Sequence, residues 1–117
     1  MTTTSLGKYG EDLAVEFLRS HGYKIIERNF RIRGGELDII ALQNDTLIYV
    51  EVKTRTNHQF GRPEESITPY KIKFLERTAR FYRNTRKNLP PAERIDVVTV
   101  DLTTGKPVIE LIKNASF

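Results

Sequence analysis

The sequence predicts a single α/β domain over residues 1 to 117, with a mixed central β-sheet flanked by helices in the order αβββαββ. Three observations support this prediction. The length fits one ordinary domain. Segments with helical and with strand periodicity alternate along the chain. Short stretches rich in Gly, Asn, Asp or Pro separate them, and neither repeats nor a flexible linker interrupt them.

The first predicted element is a helix from about Leu6 to His21. Apolar or small residues recur on one side of it at about 100° per residue, namely Leu6, Gly10, Leu13, Ala14 and Phe17. Ser5 or Thr4 supplies an N-cap and Gly22 a C-cap. Gly10 lies in the middle of the apolar face, where its missing side chain would let the helix approach the strands closely.

Three strand-like runs rich in β-branched residues come next. They extend from Lys24 to Arg31, from Glu36 to Leu42 and from Leu47 to Arg55. The connections Arg33-Gly34-Gly35 and Gln43-Asn44-Asp45-Thr46 contain residues that are typical of turns. These runs therefore predict an antiparallel meander.

The second half of the chain predicts a loop, a helix and two more strands. The loop covers Asn57 to Ser66, and Thr68-Pro69 supplies an N-cap followed by Pro at the first helical position. The helix continues to about Lys87, before Pro90-Pro91. The two strands are predicted at Ile95 to Asp101 and at Val108 to Lys113, around a turn at Thr103-Thr104-Gly105.

Composition excludes several classes of function. The chain has no Cys and 2 His, which removes disulfide frameworks, thiolate zinc sites and cysteine nucleophiles. A net charge of +4 and a pI of about 9.5 favour an anionic partner. No apolar run approaches the ~20 residues of a membrane span, and the first residues do not resemble a secretory signal. We therefore expect a cytoplasmic protein without a membrane partner.

The second and third strands carry a candidate site on one face. Alternation places Tyr49, Glu51, Lys53 and Arg55 on that face of the third strand, and Glu36, Asp38 and Ile40 on that of the second. We therefore expect one charged face and one apolar face. A turn at Gln43–Thr46, or at its two central residues alone, makes Asp38 oppose Glu51. The same pairing makes Glu36 oppose Lys53.

Two opposed carboxylates indicate a bound cation. Directly opposed residues have Cβ atoms ~4.5 to 5.5 Å apart, and like charges there are destabilising. Hard divalent ions such as Mg²⁺ take oxygen ligands and often use one or two carboxylates together with phosphate and water. Lys53 shares the face with Glu51, so its ammonium could hold an attacking water or stabilise the pentacovalent phosphate. The alternative is a solvated sheet face on which Glu36 and Lys53 form a surface ion pair.

The second helix is strongly basic. Between Lys71 and Lys87 there are seven basic residues and one acidic residue, an excess of six, compared with +4 for the whole chain. At ~100° per residue a stripe is formed by Lys73, Arg77, Arg80, Arg83 and Lys87, and the packing face by Ile72, Leu75, Ala79 and Tyr82. The stripe suits a phosphate backbone, which is bound by successive charges and not by base contacts. A solvated helix face is the alternative.

Two further expectations concern this helix. We expect its interleaved aromatic residues, Phe74, Phe81 and Tyr82, to belong to the core and not to stack on bases. Lys71, at the start of the helix, would contact substrate if the preceding loop folds back.

Asp38 followed by Glu51-Val52-Lys53 at the end of the next strand resembles the PD-(D/E)XK nuclease signature, with Leu37 where the signature has Pro. The opening helix is similar to that of archaeal Holliday junction resolvases. Nearly the whole chain resembles the small YraN-like bacterial family, a restriction-endonuclease-like group. The blocks that carry these two resemblances are Gly7-Lys8-Tyr9-Gly10-Glu11, Ala14, Leu18, Gly22-Tyr23, Asn29-Phe30-Arg31, Gly35 to Ala41, Val50 to Arg55, Phe60-Gly61 and Asp96-Val97-Val98.

The resemblance implies a restriction-endonuclease-like fold and a Mg²⁺- or Mn²⁺-dependent phosphodiesterase that acts on DNA, branched or single-stranded. By the same resemblance Asp38 and Glu51 would be metal ligands and catalytic residues, Lys53 the catalytic lysine, and Glu11 an accessory carboxylate ligand. On the helical wheel Glu11 lies at the margin of the apolar face, from which it can reach over the sheet edge; an ordinary exposed Glu is the alternative. Glu36 would complete a second metal position or neutralise Lys53. Resolvases work as dimers, which leaves a homodimer open.

Two other functions compete with this one. The first is a non-catalytic nucleic-acid-binding protein that retains a nuclease fold. The second is a small protein whose basic helix binds an acidic protein or the ribosome. A binding module has no use for Asp38 opposite Glu51, so the sequence favours the enzyme.

Overall fold

A computed structural model describes residues 3–56 and 68–115, and the predicted order of elements is confirmed within these ranges. The elements are α1 (Thr3–Ser20), β1 (Lys24–Ile32), β2 (Gly35–Gln43), β3 (Thr46–Arg55), α2 (Pro69–Thr85), β4 (Ala92–Asp101) and β5 (Val108–Ile112). The loop predicted at Asn57–Ser66, with the Phe60-Gly61 block, lies outside the described residues. In the described part of the chain neither helix is both long and apolar enough to cross a bilayer.

The strands form one mixed sheet in the order β1-β2-β3-β4-β5. β1, β2 and β3 are successively antiparallel, β3 and β4 are parallel, and β5 is antiparallel to β4. Parallel neighbours need a crossover connection, and α2 lies in the one between β3 and β4. This topology makes β3 the central strand of the sheet.

Each face of the sheet is covered by a helix. One core contains Ala14, Val15 and Leu18 of α1 with Ile39, Ala41, Ile48, Val50, Val98 and Val100. The other contains Ile72, Leu75, Ala79 and Tyr82 of α2 with Leu37, Ile40, Leu47, Tyr49 and Ile95. The prediction of one charged face is therefore wrong for the first half of β3, where both faces are apolar and buried. Tyr49, predicted on the charged face, is 2% exposed and meets Tyr82 edge-on at 6.3 Å between ring centroids.

Two glycines allow the helices to approach the sheet closely. A Cβ at Gly10 would overlap the side chain of Thr54 near the end of β3, as the sequence predicted for this position. A Cβ at Gly35 would likewise overlap Thr78 of α2. Both helices are therefore held against the sheet near the open end of the β2–β3 hairpin, opposite its turn.

Two of the predicted helix caps are confirmed, whereas the N-cap predicted at Ser5 or Thr4 is wrong, because α1 already begins at Thr3 and both residues lie within it. Gly22 ends α1 with φ +84°, and the N–H of Tyr23 donates to the carbonyl of Leu18 at 3.0 Å, as in a Schellman motif. Thr68 caps α2, and its Oγ1 accepts a hydrogen bond from the backbone N–H of Lys71 at 3.2 Å. The second cap fixes the first turn of α2, which carries Lys71.

Candidate functional site

β2 and β3 separate before β3 ends. Their pairing extends from Gln43–Thr46 to Ile39–Val50, whereas β3 remains paired with β4 as far as Arg55. Beyond this point the backbone N–H of Val52 donates to Oδ2 of Asp38 at 2.8 Å. The carboxylate of Asp38 thus replaces a β2 carbonyl as the acceptor for this backbone N–H. We call the opening between β2 and β3 beyond the Ile39–Val50 pair the fork.

The register predicted for the hairpin is confirmed where the two strands pair. The predicted opposition of Asp38 and Glu51 lies one position beyond the last recorded pair, and an end to pairing there avoids two like charges in direct opposition. The two carboxylates still interact. Burial, followed by the negative charge of Glu51, raises the pKa of Asp38 from 3.8 to about 7.

Glu51 and Lys53 line a pocket of about 160 Å³ between the sheet and α2, which we call the fork pocket. Its lining residues are Gly35, Glu36, Glu51, Lys53, Lys71, Phe74, Leu75 and Thr78. Nζ of Lys53 lies 3.4 Å from Oε1 of Glu51, and the two side chains are only 24% and 17% exposed. The pocket therefore contains Lys71 beside two of the residues that the sequence predicted as catalytic.

Two pairs of like charges lie in or beside the fork pocket: the carboxylates of Asp38 and Glu51, and the ammonium groups of Lys53 and Lys71. Burial raises the pKa of Glu51, an effect that Lys53 and Lys71 oppose without cancelling. The positive charge of Lys53, with burial, lowers the pKa of Lys71. Each pair would consequently be stabilised by a ligand of opposite charge: a cation for Asp38 and Glu51, and an anion for Lys53 and Lys71.

Glu11 is engaged outside the pocket. Its Oε1 accepts hydrogen bonds from Nε and Nη2 of Arg28 at 3.2 and 3.1 Å, and Nη2 also donates to Asp12 at 2.7 Å. Among the described residues no group of three or more His, Cys, Asp or Glu could hold a metal ion. The predicted three-ligand set of Glu11, Asp38 and Glu51 is therefore not assembled, because Arg28 of β1 neutralises Glu11.

The predicted partner of Glu36 is wrong. Glu36 pairs across β1 and β2 with Nε of Arg31 at 3.2 Å, while the ion pair of Lys53 is with Glu51. The cause is the end of β2–β3 pairing, which leaves Glu36 beyond the register that would have placed it opposite Lys53. Glu36 nevertheless lines the fork pocket, and its negative charge raises the pKa of Asp38 and of Glu51.

The five-residue basic stripe is only partly formed. The side chains of Lys73, Arg77 and Arg80 are exposed on α2. Nε of Arg83 instead donates to Glu93 at 3.1 Å and its Nη2 to the carbonyl of Pro90 at 2.8 Å. Lys87 follows the end of α2, because the backbone of Arg86 is extended at φ −123° and ψ 155°. The stripe prediction is therefore wrong at its last two positions.

The core prediction is wrong for two aromatic residues of α2. Tyr82 is 2% exposed, as predicted, but Phe74 and Phe81 are 37% and 49% exposed, and Tyr70 is 70% exposed. A helical wheel contains this signal, since at 100° per residue positions 74 and 81 fall beside position 70 and away from the packing residues. Their aromatic character suggested burial where the periodicity did not.

Sequence reasoning also missed a polar network around Asp96, which is 0% exposed. The Tyr23 hydroxyl donates to this carboxylate at 2.7 Å, Nε of Arg94 at 3.0 Å and the N–H of Asn114 at 2.9 Å. Nη2 of Arg94 also donates to Oε1 of Gln43 at 2.9 Å. The network joins the chain after α1 to β2, β4 and the segment after β5. Asp96 belongs to the Asp96-Val97-Val98 block that carries the family resemblance, but nothing in that block indicates a buried hydrogen-bond network.

Comparison with known proteins identifies the family. Residues 10–100 match the family model described as "Uncharacterised protein family UPF0102". A UPF0102 protein of Syntrophomonas wolfei is 46% identical over 110 residues, covering 94% of this chain and 96% of the relative. Another, from Caldicellulosiruptor saccharolyticus, is 44% identical over 117 residues, covering 98% and 99%. The predicted YraN-like membership is thereby confirmed: the chain belongs to the UPF0102 family.

Proposed function

We propose that this protein is a metal-dependent nuclease that hydrolyses phosphodiester bonds of DNA at the fork pocket. The observation that carries the proposal is the proximity of two like-charge pairs: Glu51, Lys53 and Lys71 line one small pocket, and the charge of Glu51 acts on Asp38 beside it. The carboxylate pair suits a divalent cation and the ammonium pair suits a phosphate. A phosphodiester accompanied by a divalent cation satisfies both pairs at once.

The donor set fits Mg²⁺ or Mn²⁺. Asp38 and Glu51 would hold the ion, because hard divalent cations prefer carboxylate oxygens and one or two such ligands suffice when phosphate and water complete the shell. Glu11 would stay with Arg28. When bound, such an ion supplies Lewis-acid polarisation of the phosphoryl group and activation of water.

Lys53 and Lys71 would handle the substrate phosphate. Lys53 is held by Glu51 at 3.4 Å, so its ammonium is oriented toward the pocket, where it would offset the negative charge that develops on the phosphoryl oxygens. Lys71 is exposed and would bind the phosphate from the α2 side. The volume of about 160 Å³ is below the ~300 to 1,000 Å³ of sites for whole small molecules, and it suits a phosphate group with the polymer outside.

A non-catalytic nucleic-acid-binding protein is the second candidate. The exposed cations Lys73, Arg77 and Arg80 favour it, because they would bind a phosphate backbone without any chemistry. That function leaves the interacting carboxylates of Asp38 and Glu51 without a purpose. We therefore place the nuclease first.

A cleavage screen tests the proposal. Labelled single-stranded, duplex, flap and four-way DNA substrates are incubated with the full chain in Mg²⁺, Mn²⁺ or EDTA. We expect metal-dependent cleavage that Glu51→Gln and Lys53→Ala each reduce by roughly 100-fold or more, with unchanged circular dichroism. The matched controls are Glu110→Gln and Lys113→Ala, at exposed positions in or beside β5.

Two outcomes would contradict the nuclease. One is cleavage at the wild-type rate by the Lys53→Ala variant, which would separate any activity from the fork pocket. The other is DNA binding without cleavage of any substrate and without heat of Mn²⁺ binding in calorimetry. The second outcome would favour the non-catalytic alternative.

A further inference from the structure

The exposed aromatic residues of α2 indicate which form of substrate reaches the fork pocket. Building on the proposed function, we infer that the protein binds single-stranded nucleic acid, with bases stacked on α2 and a phosphate in the fork pocket. We call the stacking surface the aromatic row; it consists of Tyr70, Phe74 and Phe81. The cations beside it are Lys73, Arg77 and Arg80.

The geometry of the aromatic row distinguishes it from core. Its members are 70%, 37% and 49% exposed. Tyr70 and Phe74 meet edge-on with ring centroids 4.8 Å apart. At 100° per residue Phe81 lies about 20° around the helix from Tyr70, and a rise of ~1.5 Å per residue makes the row about 16 Å long. Exposed aromatic rings aligned along one side of a helix mark an interaction surface.

The charge beside the aromatic row selects a polyanion as its partner. Lys73 and Arg77 border one shallow surface pocket together with Tyr70 and Phe74. Neither cation makes an ion pair with a residue of the described ranges. Glu76 is the sole acidic residue between the ends of α2. Aromatic rings interleaved with cations are the combination that binds single strands, the rings stacking on bases and the cations neutralising phosphates.

The aromatic row favours a single strand over a duplex. Bases in a duplex are already stacked on one another and offer no free face to a ring on a helix, so only the cations of α2 would serve a duplex. An unpaired strand exposes its base faces, and each base stacked on an aromatic side chain contributes ~1 to 3 kcal/mol. Phe74 lines both the surface pocket and the fork pocket. The row therefore lies beside the pocket that Lys53 and Lys71 line.

Fluorescence tests the stacking directly. The chain has no Trp, so Tyr70→Trp introduces a unique fluorophore at the exposed end of the row. Oligodeoxythymidylate is titrated in EDTA, which separates binding from any cleavage. We expect quenching of the Tyr70→Trp variant, because stacked bases quench indole emission. The matched control is Tyr9→Trp on α1, where the native side chain is 42% exposed, and we expect no quenching there.

Affinity measurements give the size of the effect. By anisotropy, Tyr70→Ala and Phe74→Ala are each expected to weaken oligodeoxythymidylate binding about 5- to 150-fold, the factor that corresponds to ~1 to 3 kcal/mol. Neither should change duplex affinity or the slope of log affinity against log salt. Arg77→Ala should reduce that slope by about 0.7, the value for one lost phosphate contact to a single strand. A parallel titration with oligouridylate distinguishes DNA from RNA as the source of the strand.

The inference is wrong if the Tyr70→Trp variant is not quenched, or if the alanine variants weaken single-strand and duplex binding equally. It is also wrong if sedimentation shows a dimer that Phe81→Ala dissociates while oligodeoxythymidylate affinity is unchanged, since the row would then join two copies of the chain. Failure of the proposed function has a different signature. Stacking without metal-dependent cleavage overturns the nuclease alone, whereas cleavage of duplex without stacking overturns this inference alone.

Discussion

Two aspartates on the strands that flank β3 have opposite surroundings. Asp96 of β4 is fully buried and accepts hydrogen bonds from the Tyr23 hydroxyl, the Arg94 guanidinium and the N–H of Asn114. Asp38 of β2 is partly buried and accepts one hydrogen bond from the backbone of Val52. The negative charges of Glu51, Glu36 and Glu11 act on this carboxylate and raise its pKa.

The difference separates a structural carboxylate from one that is suited to a ligand. Donors surround Asp96, so the folded protein itself provides what the ion requires. Asp38 lies among groups of its own charge, so a proton or a cation would stabilise the folded state. Burial of a carboxylate therefore indicates a ligand site only where its neighbours are like charges and not hydrogen-bond donors.

Removal of the Asp96 carboxylate is expected to have the largest effect on stability. Asp96→Ala leaves Arg94 and Tyr23 without their shared acceptor, and breaking a buried pair in this way costs about 3 to 5 kcal/mol. Urea unfolding of the variant and of the wild type measures the loss. A loss below about 1 kcal/mol would mean that Asp96 is not the centre of the network.

The sequence predicts the part of this contrast that depends on local geometry. Asn44 and Asp45 both have positive φ, 48° and 60°, which is the requirement of a tight hairpin turn, and this turn fixes which residues of β2 and β3 oppose one another. Asp38 and Glu51 were therefore identified as neighbours from their spacing. The C-cap of α1 at Gly22 and the N-cap of α2 at Thr68 follow from equally local rules.

Contacts between distant segments could not be predicted in the same way. Glu11 is neutralised by Arg28 of β1, and Asp96 is satisfied by Tyr23 and Arg94; each partner is one of many basic or hydroxyl residues in the sequence. Where β2 and β3 separate is also invisible, because the alternating pattern continues beyond the last hydrogen-bonded pair. These unpredicted contacts decide which carboxylates remain available to a ligand.

Asp38 should also make stability depend on pH. Its pKa is about 7 in the folded protein and 3.8 ordinarily, so between these values the folded state retains a proton that the unfolded chain has released. Folded stability from this group is complete below pH ~4 and is lost as pH rises through about 7, with a slope of at most ~1.4 kcal/mol per pH unit.

Urea unfolding between pH 4 and 8 in EDTA measures this dependence as the difference between wild type and Asp38→Asn. The expected difference favours the variant increasingly as pH rises, because the amide cannot ionise. Equal pH profiles for the two proteins would mean that Asp38 is solvated and does not interact with Glu51.

Metal should stabilise the fork and not the Asp96 network. At pH 8, Mn²⁺ at ten times its dissociation constant should add about 1.4 kcal/mol to the wild type. Asp38→Asn should gain much less, while Glu110→Gln, at an exposed position of β5, should gain as much as the wild type. Thermal melts with EDTA and with Mn²⁺ measure these shifts, and an equal gain in all three proteins would place the metal away from Asp38.

The smallest expected effect concerns Glu36, which contributes to the field at Asp38 without sharing its hydrogen bond. Glu36→Gln removes an exposed ion pair with Arg31, so stability should change by less than about 1 kcal/mol. Its charge also raises the pKa of Asp38, and its removal should move the midpoint of the pH dependence to lower pH. The control is again Glu110→Gln, since that carboxylate is not among the charges acting on Asp38. If the midpoint of the pH dependence does not move, burial and Glu51 alone raise the pKa of Asp38. The part of the fork that requires a cation would then be the pair Asp38 and Glu51, without Glu36.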